Sequence, residues 1–300
     1  MGAQLRVYRR RIRSVQATKK ITKAMELIAS SRIMKAQHRL DASLPYLTQL
    51  LTALSAAASH ASDLGDHPLL RKSEAPKRAA ILLISADRGL AGAYSANAIR
   101  EAESLTRNLT EKGIEVVPYV IGRKGLNYYR FRGRTMAGEY SGFTDQPTYA
   151  DAKRVAGDLL DAYLTETDDG GVDEIHIVYT HFVSMLTQQP RVRRVLPLEV
   201  VDEVVETGDR EHPFPLYEFE PSPEAVLDSL LPRYVEQSVY LALLMSAASE
   251  HAARRRAMKS ASDNAEDLIH TLTRQANQAR QAEITQEISE IVGGADALSA

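Results

Sequence analysis

Leu5, Tyr8, Ile12 and Val15 are spaced three, four and three residues apart, and Ile21, Met25 and Ile28 four and three. Such steps place side chains on one face of a helix, and they lie close to the 3.5-residue repeat of a coiled coil. No glycine or proline occurs from Ala3 to Leu44, although the stripe holds no large apolar residue between Val15 and Ile21. Pro45 is a candidate interruption, after which Leu47, Leu50, Leu54 and Ala57 resume one face. The other end of the chain carries a matching stripe. Met258, Ala261, Ala265, Leu268 and Leu272 step three, four, three, four, and Ala276 and Ala279 prolong it. Ser222 suits a helix cap and Pro223 a first helical position. Pro232 is a candidate kink, and Gly293 a left-handed stop. From Arg233 to Val292 there is no breaker, which at ~1.5 Å per residue spans roughly 90 Å.

The middle of the chain has a different pattern. Ala79 to Ser85 (AAILLIS) is a continuous apolar run of the kind found in strands buried on both faces. A glycine-containing turn, DRGLAGAYSAN, leads into a predicted helix at Tyr94 to Lys112. Further strands are predicted at Ile114 to Gly122 and Glu174 to Val183, with a helix at Thr148 to Thr165 between them. Strands alternating with helices imply a parallel α/β unit. Residues Arg191 to Phe219 read as further extended pieces separated by Pro197, Pro213 and Pro215. Ser59 to Lys77, with Gly65, Pro68, Pro76 and many charges, reads as a linker.

A helix much longer than the ~8–20 residues usual in globular proteins cannot bury its stripe inside an ordinary domain. The N-terminal helix has a similar repeat and supplies the partner. The expected fold is therefore α/β with a long antiparallel coiled coil of the N- and C-terminal helices and an inserted Rossmann-like domain. Its segments are an N-terminal helix at 1–58, a linker at 59–77, a central α/β domain at 78–220 and a C-terminal helix at 221–300. The stripes are rich in alanine. Small side chains allow close approach but bury little area at ~25 cal/mol per Å², so the far end of the rod is expected to need an external sleeve.

Charge sharpens this picture. The formal net charge is only −2, yet residues 1–40 hold eleven Lys or Arg against a single acid, Glu26. Residues 222–300 hold seven bases against eleven acids. A basic arm points to an acidic partner or to nucleic acid. The chain has no cysteine, which excludes disulfides, a thiol nucleophile and a cysteine metal site. No run of 18 apolar residues is present to span a bilayer, and no apolar core of a secretory signal follows the basic N-terminus. No GxxxxGK[ST] loop, HExxH pair or GxSxG elbow occurs. DRGLAG sits where doubly wound sheets bind ligands but lacks GxGxxG, and GRKG (Gly122 to Gly125) reads as a turn with two exposed bases. No catalytic constellation, cofactor site or metal site is expected.

Two stretches carry a family resemblance. RRIRSVQATKKITKAMELIASSRIMKAQ (Arg10 to Gln37) and SEHAARRRAMKSASDNAEDLI together with ARQAEITQEISEIVGGADAL resemble the two ends of the gamma subunit of bacterial F-type (F1Fo) ATP synthase. SADRGLAGAYSAN and HFVSMLTQQP resemble that family's central domain. The resemblance implies a noncatalytic central shaft whose coiled coil turns inside a ring of three alpha and three beta subunits. Its α/β domain would face the epsilon subunit and the c ring of Fo. Proton flow would drive the rotation, on the cytoplasmic face of the cell membrane, with the chain peripheral and no span of its own. It further implies that Arg280 and Gln281 contact a catch loop of the ring, with Thr285 and Glu287 in the same stretch. Lys20, Lys23 and Met25 would lie near the ring's moving acidic segments. Chloroplast relatives carry a redox cysteine pair that this chain lacks. The polar stretch Thr165 to Glu174 is either family variation or a contact to a neighbouring subunit. Two other readings rest on the residues alone: a coiled-coil nucleic-acid binder using the basic arm, and an α/β enzyme using Asp87 to Gly92 for a phosphate.

Overall fold

The computed structural model describes residues 3–60, 67–70, 73, 75–198 and 218–299. Gly65, Pro213 and Pro215 lie outside them. The elements follow in the order α1 (Ala3–His60), β1 (Arg78–Ile84), α2 (Tyr94–Glu111), β2 (Glu115–Ile121), α3 (Arg123–Phe131), β3 (Gly138–Tyr140), α4 (Tyr149–Leu164), β4 (Glu174–Phe182), β5 (Gln188–Leu196) and α5 (Pro223–Ser299). The chain forms two compact units. One combines residues 1–31 with 254–300, and the other is Arg32–Ala253.

In the larger unit five strands form one sheet in the order β3-β2-β1-β4-β5. β1 pairs in parallel with β2 and β4, β2 in parallel with β3, and β5 lies antiparallel on β4. The unbroken apolar run of β1 is explained by its central place. Ala79, Ile81 and Leu83 face a core built with α2 and α3. Ala80, Leu82 and Ile84 face a second core built from α4 and the parts of α1 and α5 that belong to this unit, among them Leu50, Leu54, Leu231 and Val235. With both faces covered, no position from Ala79 to Ile84 is left for a polar side chain. α4 starts as its sequence suggests. Thr148 caps it, and Asp151 closes a capping box back to the Thr148 N–H.

Four elements depart from expectation. GRKG is not a bare turn: Gly122, with φ 95°, turns the chain into α3. A Cβ there would sit 2.4 Å from the Ser85 carbonyl oxygen, so only glycine fits. The piece beginning near Arg191 is β5, which starts at Gln188 and ends at Leu196. Pro45 lies inside α1 without ending it. Its ring removes one backbone hydrogen bond, but Leu50, Leu54 and Ala57 beyond it are buried in the core and hold the next turns in helical register. Likewise Gly293 does not stop α5, which runs to Ser299.

In the smaller unit α1 and α5 pair antiparallel. Thr22 and Ser262 share a hydrogen bond of 2.7 Å between their hydroxyls, and Lys19 Nζ reaches Glu266 at 2.8 Å. Three residues back along α1 thus match four residues forward along α5. The buried positions of α1 here are Leu5, Thr22, Glu26 and Ala29, facing Met258, Ser262, Ala265, Leu272 and Ala276 of α5.

Candidate functional site

The seam of the smaller unit continues from Val15 through Lys19, Thr22, Glu26 and Ala29, not through Ile21 and Ile28. Those two isoleucines are 61 % and 55 % exposed. The physical reason is the alanine- and serine-rich face of α5, which approaches too closely for a side chain as large as isoleucine but admits Thr22 and Ala29. The partial spacing of Ile21, Met25 and Ile28 misled because it tracks a second face. That face is outward and apolar, with Ile21 and Ile28 on it and Met25 half-buried beside it. The longer 3–4–3–4 continuation from Leu5 carried the correct signal, at the cost of accepting Lys19, Thr22 and Glu26 as seam residues.

Lys20 and Lys23 are both exposed and rim a groove of about 850 Å³ floored by Ala24, Leu27 and Ile269. Lys23 Nζ is 3.0 Å from the carboxylate of Glu26. Lys19, on the same groove, holds the Glu266 carboxyl below its ordinary range by donating a hydrogen bond to it. The result is an apolar trough with a cationic rim. Arg280, Gln281, Thr285 and Glu287 are all exposed on α5. The Thr285 hydroxyl donates to the Gln281 carbonyl at 2.9 Å, a bond within the helix that leaves the side chain of Gln281 uncommitted. Arg280 lies fourteen residues beyond Glu266, about 20 Å along a helix. The seven residues therefore form two bands and not one site, with Lys20, Lys23 and Met25 in the first and Arg280, Gln281, Thr285 and Glu287 in the second. Around the second band Ile284, Ile288 and Ile291 are exposed and step four and three along one face. Scattered exposed apolar residues need no explanation, but an apolar stripe on a long helix marks a contact surface.

The turn after β1 is a filled site. Asp87 Oδ1 accepts the Arg123 N–H at 3.1 Å, and Oδ2 accepts those of Gly142 and Thr144 at 2.7 and 3.2 Å. The Lys124 N–H goes to the Ala86 carbonyl and the Gly125 N–H to Ser85 Oγ at 2.9 Å. The first three amides of α3, which would cradle a phosphate in a nucleotide-binding fold, are thus taken by the chain itself. An internal carboxylate sits where a ligand anion would. Asp87, the first residue of the Asp87 to Gly92 turn, is itself committed to these backbone amides.

Among the described residues no helix is long and apolar enough to cross a membrane. The family model for ATP synthase matches residues 4–298. The ATP synthase gamma chain of Acidothermus cellulolyticus is 64 % identical over 301 residues, covering 100 % of this chain and 99 % of that protein. That of Thermobifida fusca is 59 % identical over 302 residues, covering 100 % and 98 %. Among solved structures, a chain of the Euglena gracilis mitochondrial ATP synthase OSCP/F1/c-ring assembly superposes with a TM-score of 0.66 at 16 % identity, covering 99 % of this chain and 95 % of that one. A chain of the Tetrahymena thermophila mitochondrial ATP synthase central stalk and c-ring gives 0.57 at 22 % identity, covering 81 % and 99 %.

Proposed function

Because the chain belongs to the ATP synthase gamma chain family, we propose that it is the central rotary shaft of an F1Fo ATP synthase. The smaller unit turns inside a ring of alpha and beta subunits. The segment 78–220 meets the epsilon subunit and the c ring. The chain is noncatalytic; it changes the shape of catalytic sites that belong to beta. Proton-driven rotation of the c ring carries the shaft with it, on the cytoplasmic face of the membrane and without a span of its own.

The observation that carries this reading is the antiparallel pairing of α1 with α5 through Thr22–Ser262 and Lys19–Glu266, with apolar and basic residues turned outward from the seam. A shaft needs contacts that change with angle, since a partner is driven only by a difference in free energy between orientations. The cationic trough at Lys20 and Lys23 lies on one side of the rod and presents such a difference to acidic segments passing it. Arg280 brings a planar fork of donors suited to carboxylates and carbonyls, with Gln281 beside it and Thr285 and Glu287 along the same stretch. In the acidic-partner reading the basic arm serves protein and not nucleic acid. Two of its bases, Lys19 and Lys23, are already paired with Glu266 and Glu26.

Co-purification with alpha and beta subunits, with one copy of this chain per three alpha–beta pairs, is the expected outcome. A chain that stays apart from that ring, or that binds duplex DNA with a steep salt dependence, overturns the proposal. Arg280→Ala combined with Gln281→Ala is expected to weaken assembly or coupled synthesis while leaving the melting temperature of the isolated chain unchanged.

A further inference from the structure

The loop 141–148 between β3 and α4 is held from two sides. On the sheet side, Asp87 takes the N–H groups of Gly142 and Thr144, and Thr144 Oγ1 accepts from the Asp87 N–H at 3.0 Å. On the helix side, Asp145 meets α1 and α5 together. Arg32 Nη1 donates to its carboxylate at 2.6 Å, and His251 Nε2 donates to its main-chain oxygen at 3.0 Å. A carbonyl only accepts, so Nε2 carries the proton. His251 is 1 % exposed. Arg88, in the turn after β1, places a second guanidinium nitrogen 3.8 Å from the same Asp145 oxygen. All of these residues belong to the larger unit, and Arg32 and His251 stand near the ends of its share of the two helices.

The apolar packing near this point is thin: Ala86, Ala91 and Tyr94, with Ala253 against them. Apolar contact is non-directional and scales with area. Small side chains therefore resist separation of a helix from its domain more than they resist its turning in place. A charge-assisted hydrogen bond is short and directional. Turning α1 by a fraction of its 100° residue spacing takes the Arg32 fork off the carboxylate.

We propose that Asp145 is a positioning residue that keys both terminal helices to the sheet against rotation about their own axes. Torque then passes from α1 and α5 through Asp145 into loop 141–148, and from there through Asp87 into β1. The inference rests on the rotor reading and goes beyond it by naming the groups that, within the larger unit, make the two helices and the sheet turn as one.

The test uses the complete F1Fo complex carrying this chain, reconstituted in lipid vesicles, with ATP hydrolysis and ATP-driven proton uptake measured together. Asp145→Ala is expected to keep the hydrolysis rate and to lose part of the protons pumped per ATP. The torsional stiffness of the shaft in single-molecule rotation falls with it. His251→Gln keeps a donor and stays near wild type, whereas His251→Phe behaves like Asp145→Ala. The chain has no cysteine, so Arg32→Cys with Asp145→Cys, in a complex otherwise free of cysteine, allows the pair to be bridged by a short bismaleimide. Bridging is expected to restore pumping. Pumping and stiffness that are the same in wild type, in Asp145→Ala, and in the cysteine pair before and after bridging would overturn the inference while leaving the rotor reading standing. Should Asp145→Ala not assemble, the cysteine pair decides alone. If the wild-type complex hydrolyses ATP without pumping, both fall.

Discussion

Single side chains in this protein act mainly by satisfying backbone. Asp87 accepts three N–H groups from two separate segments. Asp87→Ala takes the acceptor from all three, of which that of Thr144 is buried, and is expected to cost about 1–3 kcal/mol, read as a lowered denaturant midpoint. Gly171 closes the turn after Thr167–Asp169, donating its N–H to the Glu166 carbonyl. A Cβ at Gly171 would lie 1.9 Å from the Thr165 oxygen, so Gly171→Ala must shift backbone and is expected to cost roughly 2 kcal/mol or more. The stretch Thr165 to Glu174 is thus a built turn within the fold. Next to it, the Glu174 carboxyl is held below its ordinary range first by the hydrogen bond from His176, against the opposing effect of burial. Burial also pushes the Asp173 carboxyl up, but the N–H of Arg78, the Thr167 hydroxyl and the N–H of Lys77 outweigh it and hold it low. Both groups are depressed in the folded state. Their stabilisation is present above the ordinary carboxyl range and is lost as pH falls through the lower folded values. Unfolding midpoints measured from pH 6 down to about pH 3 are expected to drop less steeply in Asp173→Asn than in wild type. None of these roles was legible in advance, because each depends on which distant amide a carboxylate happens to reach.

At the scale of elements, β1, β2, β4, α2 and α4 were readable to within a residue or two. Each has an unbroken apolar run or a marked start, such as Thr148 with Asp151. β3 escaped because three residues carry no periodicity, and α3 because its nine residues begin at a glycine that reads as a turn. The seam of the coiled coil was legible in α5 at Met258, Ala265, Leu272 and Ala276 but not at Leu268, which is 46 % exposed while Ser262 is buried, and it was misread in α1 beyond Val15. A hydrophobic pattern locates a seam only where the seam is hydrophobic, and here it passes through a Thr–Ser pair. That pair gives a test. Thr22 Oγ1 also lies 3.1 Å from the Lys19 carbonyl; with its own hydrogen given there, it accepts from Ser262. Thr22→Val then strands the Ser262 hydroxyl in the seam and is expected to cost about 1–2 kcal/mol, whereas Thr22→Val with Ser262→Ala comes back to near neutral. A double-mutant cycle on the helical melt of the whole chain measures the coupling. Simple additivity of the two changes would remove the hydrogen bond from the account.

For the whole molecule, the outward residues matter more than the buried ones. From Ile284 to Val292 every described side chain of α5 is exposed. Deleting everything after Glu283 is therefore expected to leave the melting temperature of the isolated chain unchanged. A lowered one would mean that this end packs on the chain itself. The candidate site was legible only through family likeness. Lys20, Lys23, Met25, Arg280, Gln281, Thr285 and Glu287 have no spacing that singles them out, since contact with another subunit leaves no period in one chain. By itself the sequence determined that the two ends are long helices with matching stripes, that a parallel α/β unit lies between them, and that the first 40 residues are strongly basic, with eleven Lys or Arg against one acid. These follow from periodicity and composition, which are local. Only the tertiary structure decided which face of α1 meets α5, that Asp87 fills the place of a ligand anion, and that Asp145 ties both helices to the sheet. Those depend on close approach between residues far apart in the chain, where an ångström separates a hydrogen bond from a clash.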